Sequence, residues 1–80
     1  MKKILLTGLP AAVDTELLKE RMTHFGPVIQ VSKIDEGDPD RPWVVVEMDL
    51  DLIEAQEAAR RIDGIYYLDR FIGAHVLTYG

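Results

Sequence analysis

Arg41-Pro42-Trp43-Val44-Val45-Val46-Glu47-Met48 stands between a run of acids and turn-formers, Asp35-Glu36-Gly37-Asp38-Pro39-Asp40, and two helix-start residues, Asp49 and Asp51. Its interior is β-branched and aromatic, which suits a central strand buried on at least one face. In a strand, the period of two puts Arg41, Trp43, Val45 and Glu47 on one side and Val44, Val46 and Met48 on the other. The second side is purely apolar and reads as a core face. The first combines a base, a large aromatic and an acid, and reads as a working face.

Outward from this strand, the rest of the chain supplies its partners. Lys2 to Thr7 reads as a first strand, with Ile4 and Leu6 on one face and Lys3, Leu5 and Thr7 on the other. Gly8-Leu9-Pro10 ends it. Asp14 is a helix N-cap, Val13 a staple residue and Glu16 a first-turn acid that complements the helix dipole. Leu18, Met22 and Phe25 then recur at helical spacing until Gly26-Pro27, so a helix is predicted over 14–25. Val28 to Ile34 reads as a second strand, less cleanly alternating. After the acidic loop and the central strand, Asp49 or Asp51 caps a second helix over 51–62, with an inward stripe of Leu52, Ala55, Ala58, Ala59 and Ile62. Glu57 precedes Arg60 and Arg61 by three and four residues, a spacing that lets them pair. Ile65 to Asp69 reads as a short irregular or hairpin segment and Phe71 to Tyr79 as the last strand.

The order βαββαβ is that of an α+β, ferredoxin-like sandwich: a four-stranded antiparallel sheet with two helices on one face and the other face open. Right-handed crossovers place the first and third strands in the centre, bringing Leu5 and Thr7 beside Trp43 and Val45. By parity His75, Leu77 and Tyr79 share that face. Eighty residues make a single domain over 1–80.

Composition excludes several classes. With no cysteine there is neither a disulfide framework nor a thiolate metal site, and nothing argues against a reducing cytoplasm. The apolar run Ile4-Leu5-Leu6 is cut by Thr7-Gly8 too soon for a signal peptide, and no segment is long enough to span a bilayer. Nine basic against fourteen acidic residues give a net charge of −5, which disfavours electrostatically driven nucleic-acid binding. The acidity is regional: Asp35 to Glu57 holds nine acids and one base, leaving eight bases against five acids elsewhere. The acidic loop lacks the spacing and terminal Glu of a calcium loop, and Gly8-Leu9-Pro10 is no phosphate loop. His24 and His75 join no nucleophile motif, so no catalytic residue, metal site or cofactor is expected.

Across essentially its whole length the chain resembles the RNA recognition motif (RRM) family. Ile4-Leu5-Leu6-Thr7-Gly8-Leu9-Pro10 is similar to the family's first-strand hexapeptide. Val13-Asp14-Thr15-Glu16 with Leu18, Met22, Phe25-Gly26 and Val28 is similar to its first helix and exit, and Ala55, Ala58, Ile62 and Asp63-Gly64 to its second helix and turn. The central strand falls on the octapeptide basic-Gly-aromatic-small-aromatic-Val-x-aromatic. Arg41 holds its basic position and Trp43 its first stacking position. Pro42 replaces the glycine, Val45 the second aromatic, Met48 the last aromatic, and Leu5 the aromatic of the first strand.

The resemblance implies single-stranded RNA as a partner, bound on the open face by Lys3, Leu5, Thr7, Arg41, Trp43, Val45, His75 and Leu77. Trp43 would stack one base, Leu5 and Val45 flank it, and Lys3 and Arg41, with Lys33 a third cation, hold phosphates. A second function also fits: a protein-interaction or self-association module using Leu5, Trp43, Val45 and Leu77 as an apolar patch. The charge and the missing aromatics favour the module; the family's usual role favours RNA. Each residue also has a plain reading: Trp43 covered by a loop or tail, Arg41 paired with Asp40 or Glu47, His75 an ordinary strand residue, Tyr66 and Tyr67 packing near a turn.

Overall fold

The computed structural model describes residues 1–34, 40, 42–67 and 69–77, Tyr67 by its backbone alone. Strand β1 (Lys2–Thr7) leads to helix α1 (Thr15–Met22), which tightens into a 3₁₀ turn over Thr23–Phe25; β2 (Val28–Ile34), β3 (Trp43–Met48) and helix α2 (Leu52–Ile62) follow. A small hairpin, β4 (Tyr66–Tyr67) and β5 (Arg70–Phe71), precedes the last strand, β6 (Gly73–Leu77). The four long strands form one antiparallel sheet in the order β2-β3-β1-β6, the ferredoxin-like arrangement expected from the sequence.

Burial divides the sheet cleanly. Ile4, Leu6, Val44, Val46, Met48, Ile72 and Ala74 are buried under the helices with Leu18, Met22, Ala55, Ala58, Ala59 and Ile62. Each large aliphatic removed from water here stabilises the fold by about 1.5–3 kcal/mol. Three alanines on the inner stripe of α2 let its backbone approach the sheet.

Both helices start as their sequences direct. The Asp14 carboxylate accepts hydrogen bonds from the Glu16 and Leu17 amides at 2.9 and 3.3 Å. Asp51, rather than Asp49, caps α2: it accepts from the Glu54 amide at 2.7 Å while the Glu54 carboxylate accepts from the Asp51 amide at 3.2 Å, a closed capping box. Ahead of each cap stands a buried apolar residue, Val13 or Leu50, and four residues into each helix its staple partner, Leu18 or Ala55, is buried as well.

Three expectations are corrected. Leu52 is 41% exposed rather than part of the inward stripe, because Leu50 fills the core just ahead of the cap and Leu52 opens the helix on its outer side. Phe71 is not in the last strand; it pairs with Tyr66 in the hairpin, and β6 begins at Gly73. The third correction concerns β2. Its ladder shifts between Val28, opposite Met48, and Gln30, opposite Glu47, so Ile29 is an extra, bulged residue. Beyond the bulge, Gln30, Ser32 and Ile34 lie on the open face and Lys33, opposite Val44, on the helix face. There the Lys33 ammonium donates to the Ala11 carbonyl at 2.8 Å, which takes it away from the surface on which a phosphate contact was expected.

The outer edge of β6 is partly closed from α2. Asp63, at the helix C-cap, accepts the Ala74 amide hydrogen bond at 3.0 Å. The hairpin is tied back by backbone bonds from Gly64 to the Ile72 carbonyl at 2.7 Å and from Ile72 to the Ile65 carbonyl at 2.9 Å. Gly8, at the end of β1, adopts φ +82°, and a Cβ there would lie 2.5 Å from the Phe71 carbonyl oxygen, so the close approach of hairpin and strand end requires glycine.

Candidate nucleic-acid interface

The register assembles the open face in rows. Leu5 lies between Val45 on β3 and His75 on β6; Ser32 extends the row beyond Val45. Lys3 lies between Glu47 and Leu77, with Gln30 beyond Glu47. At the other end Ile34 faces Trp43, and Thr7 faces Gly73. Lys3, Leu5, Thr7, Trp43, Val45, His75 and Leu77 are thus brought onto one surface, as parity requires. Arg41 and Tyr79 lie outside the described residues.

Trp43 is 53% exposed, so about half of its surface is available for contact, while its neighbours Pro42 and Val44 are fully buried and hold the strand in place. Leu5, Val45 and Leu77 are half-buried, and His75 is exposed. Among the described residues the surface is therefore an apolar floor with a single aromatic platform, Trp43, one cation at Lys3 and one anion at Glu47. Thr7 and Gly73 meet closely: a Cβ on Gly73 would lie 2.5 Å from the Thr7 hydroxyl oxygen and 3.6 Å from His75 Nε2. Glycine at this point leaves the end of the platform beside Thr7 flat.

Sequence reasoning missed Gln30, Ser32 and Ile34. The bulge at Ile29 conceals their parity, and the signal that could reveal them is the alternation of Ser32 and Ile34 with Val31 counted backwards from the acidic loop. The exposed hairpin aromatics Tyr66 and Phe71 pack on each other, ring centroids 5.1 Å apart. A separate groove of about 550 Å³ runs between α1 and the end of α2, lined by Leu17, Met22, Phe25 and Ile62 and by Ile65 and Ile72, which flank the hairpin, among others. Among the described residues no three His, Asp or Glu side chains gather as a metal site, and no helix is long and apolar enough to cross a membrane.

No protein-family profile and no curated protein matches the sequence. Solved structures do. The third RRM of Pes4 superposes with a TM-score of 0.84 over 100% of this chain and 95% of its own, at 14% identity. The RRM of Rna15 with bound RNA (GU) has a TM-score of 0.77, 20% identity, and coverage of 96% and 83% respectively. The first RRM of Plasmodium falciparum SR1, in complex with ACAUCA RNA, has a TM-score of 0.68, 16% identity, and coverage of 94% and 82%. The chain has the RRM fold.

Proposed function

We propose that this RRM-fold chain, acting as one unit over residues 1–80, binds single-stranded RNA on its open sheet face with modest affinity, without catalytic chemistry or a cofactor of its own. The observation that carries this reading is the half-exposed Trp43 standing on a sheet face that the helices leave uncovered, with Leu5 and Val45 along the adjoining row and Lys3 at its far end. A base stacks on the indole, its neighbours lie across Leu5 and Val45, and Lys3 and Arg41 meet phosphates, with Thr7, His75 and Leu77 bordering the track. Base–aromatic stacking is worth about 1–3 kcal/mol per base, so one platform where the family uses three supports a modest affinity. RNA bound to the Rna15 and Plasmodium falciparum SR1 domains supports the same assignment. Action in the cytoplasm is part of the same proposal, and the cysteine-free sequence is compatible with it.

The half-buried apolar side chains Leu5, Val45 and Leu77 on this face and the net charge of −5 favour a second reading, a protein-interaction or self-association surface. A chemical-shift titration with a mixed-sequence single-stranded RNA pool at low and moderate salt separates the two. The RNA reading expects shifts on β1, β3 and β6 that weaken with salt. Unchanged spectra with RNA, together with concentration-dependent shifts on the same strands without it, would establish the interaction module instead.

A further inference from the structure

One depression on the open face has a chemistry of its own. It has a volume of about 340 Å³ and is lined by Lys3, Gln30, Ser32, Ile34, Val45 and Glu47. Ile34 and Val45 supply apolar contact, Gln30 and Ser32 stand along the β2 side, and Glu47 closes one end between its cross-strand neighbours Gln30 and Lys3. Trp43 is not part of it; the indole is carried two residues, about 6.6 Å, along β3 from Val45. The hydrogen bonds of the described residues do not engage the Glu47 carboxylate, whereas Gln30 Nε2 donates to Ser32 Oγ at 3.4 Å.

A carboxylate has two acceptor oxygens and no donor, so it repels a phosphate and selects a ligand edge carrying adjacent N–H groups. Of the four RNA bases, guanine alone presents two, N1–H and N2–H, side by side, while its O6 and N7 are acceptors suited to an ammonium. Adenine and cytosine offer one amine beside an unprotonated ring nitrogen. Uracil offers a single N–H flanked by two carbonyls, which the carboxylate opposes. Resting on the RNA-binding reading above, we propose that this depression is a guanine subsite: Glu47 accepts from N1–H and N2–H, Lys3, when guanine is the base seated there, donates to its O6/N7 edge in place of a phosphate, and Val45 and Ile34 support the ring. It makes the RNA track selective at a nucleotide next to the one stacked on Trp43.

The test measures affinities of the chain for short uridine-rich single-stranded RNAs that carry one central guanosine, inosine, adenosine, cytidine or uridine. Guanosine is expected to bind tightest, about tenfold or more over uridine, the scale of a bidentate base contact. Inosine, which lacks only the N2 amine, should fall clearly below guanosine. Glu47→Gln, which exchanges one acceptor for a donor, should remove most of the guanosine advantage. Equal affinities for guanosine and inosine, or a guanosine preference that survives in Glu47→Gln, would overturn the subsite while RNA binding stood. Binding to none of the oligonucleotides would overturn both. Should the variant not fold, the guanosine–inosine comparison in the unaltered protein decides.

Discussion

Trp43 contributes little to the core and much to the surface, so its removal separates folding from binding. Trp43→Ala should weaken RNA binding by about 1–3 kcal/mol, one stacked base, while circular dichroism and thermal melting stay near those of the parent. Loss of the folded state would instead place the indole in the core. Leu5 tests the same surface in the opposite direction. It occupies the position where the family carries an aromatic and lies directly between Val45 and His75. Leu5→Tyr should therefore add a platform and tighten RNA binding by up to about 1–3 kcal/mol, measured by fluorescence titration of Trp43. An apolar protein contact centred on Leu5 would be weakened by the same change. These side chains are legible in the sequence because Lys3 and Thr7 on β1 and Glu47 on β3 mark the watery side of each central strand, and the period of two extends that mark to Leu5 and Trp43.

At the scale of elements, the helices were the easiest to read and β2 the hardest. Asp14 and Asp51 are short polar side chains that satisfy amides locally, so the cap is written within four residues and tertiary structure cannot move it. Asp51→Ala should cost about 0.5–2 kcal/mol of stability in urea denaturation with an unchanged m-value. The bulge at Ile29, by contrast, is a property of the β2–β3 pairing: parity counted forward from Val28 puts Lys33 on the open face and Gln30, Ser32 and Ile34 on the core side, and the one extra residue reverses it. Leu52 misled because helical spacing does not say which end of a stripe the core reaches. The hairpin is another long-range effect: Gly8 admits it by yielding space to the Phe71 carbonyl. Gly8→Ala should cost about 1–3 kcal/mol through strain at positive φ, and the largest amide shift changes should fall on residues 64–72.

The whole molecule carries a charge opposed to its proposed ligand, and the opposition is local. β2 ends and β3 begins at the Ile34–Trp43 pair, so the two strands are joined at the platform's end of the sheet, through a stretch of sequence that holds Asp35, Glu36, Asp38 and Asp40. Replacing Asp35, Glu36 and Asp38 with Asn, Gln and Asn should tighten RNA binding at low salt. The salt dependence should stay shallow, near −0.7 in log–log slope for each phosphate neutralised, because few cations adjoin the face. An unchanged affinity in the neutralised variant would remove electrostatic restraint from the account. The carboxylate of Asp63 has a different significance at this scale. A four-stranded sheet has two raw margins, and each invites another chain to extend it. Here the bulge disrupts the ladder at one margin, and at the other Asp63 occupies the Ala74 amide that an added strand would need. Sheet growth is thus discouraged from both sides. The molecule exposes a broad apolar floor to its ligands while both margins of its sheet are made poorer templates for an added strand.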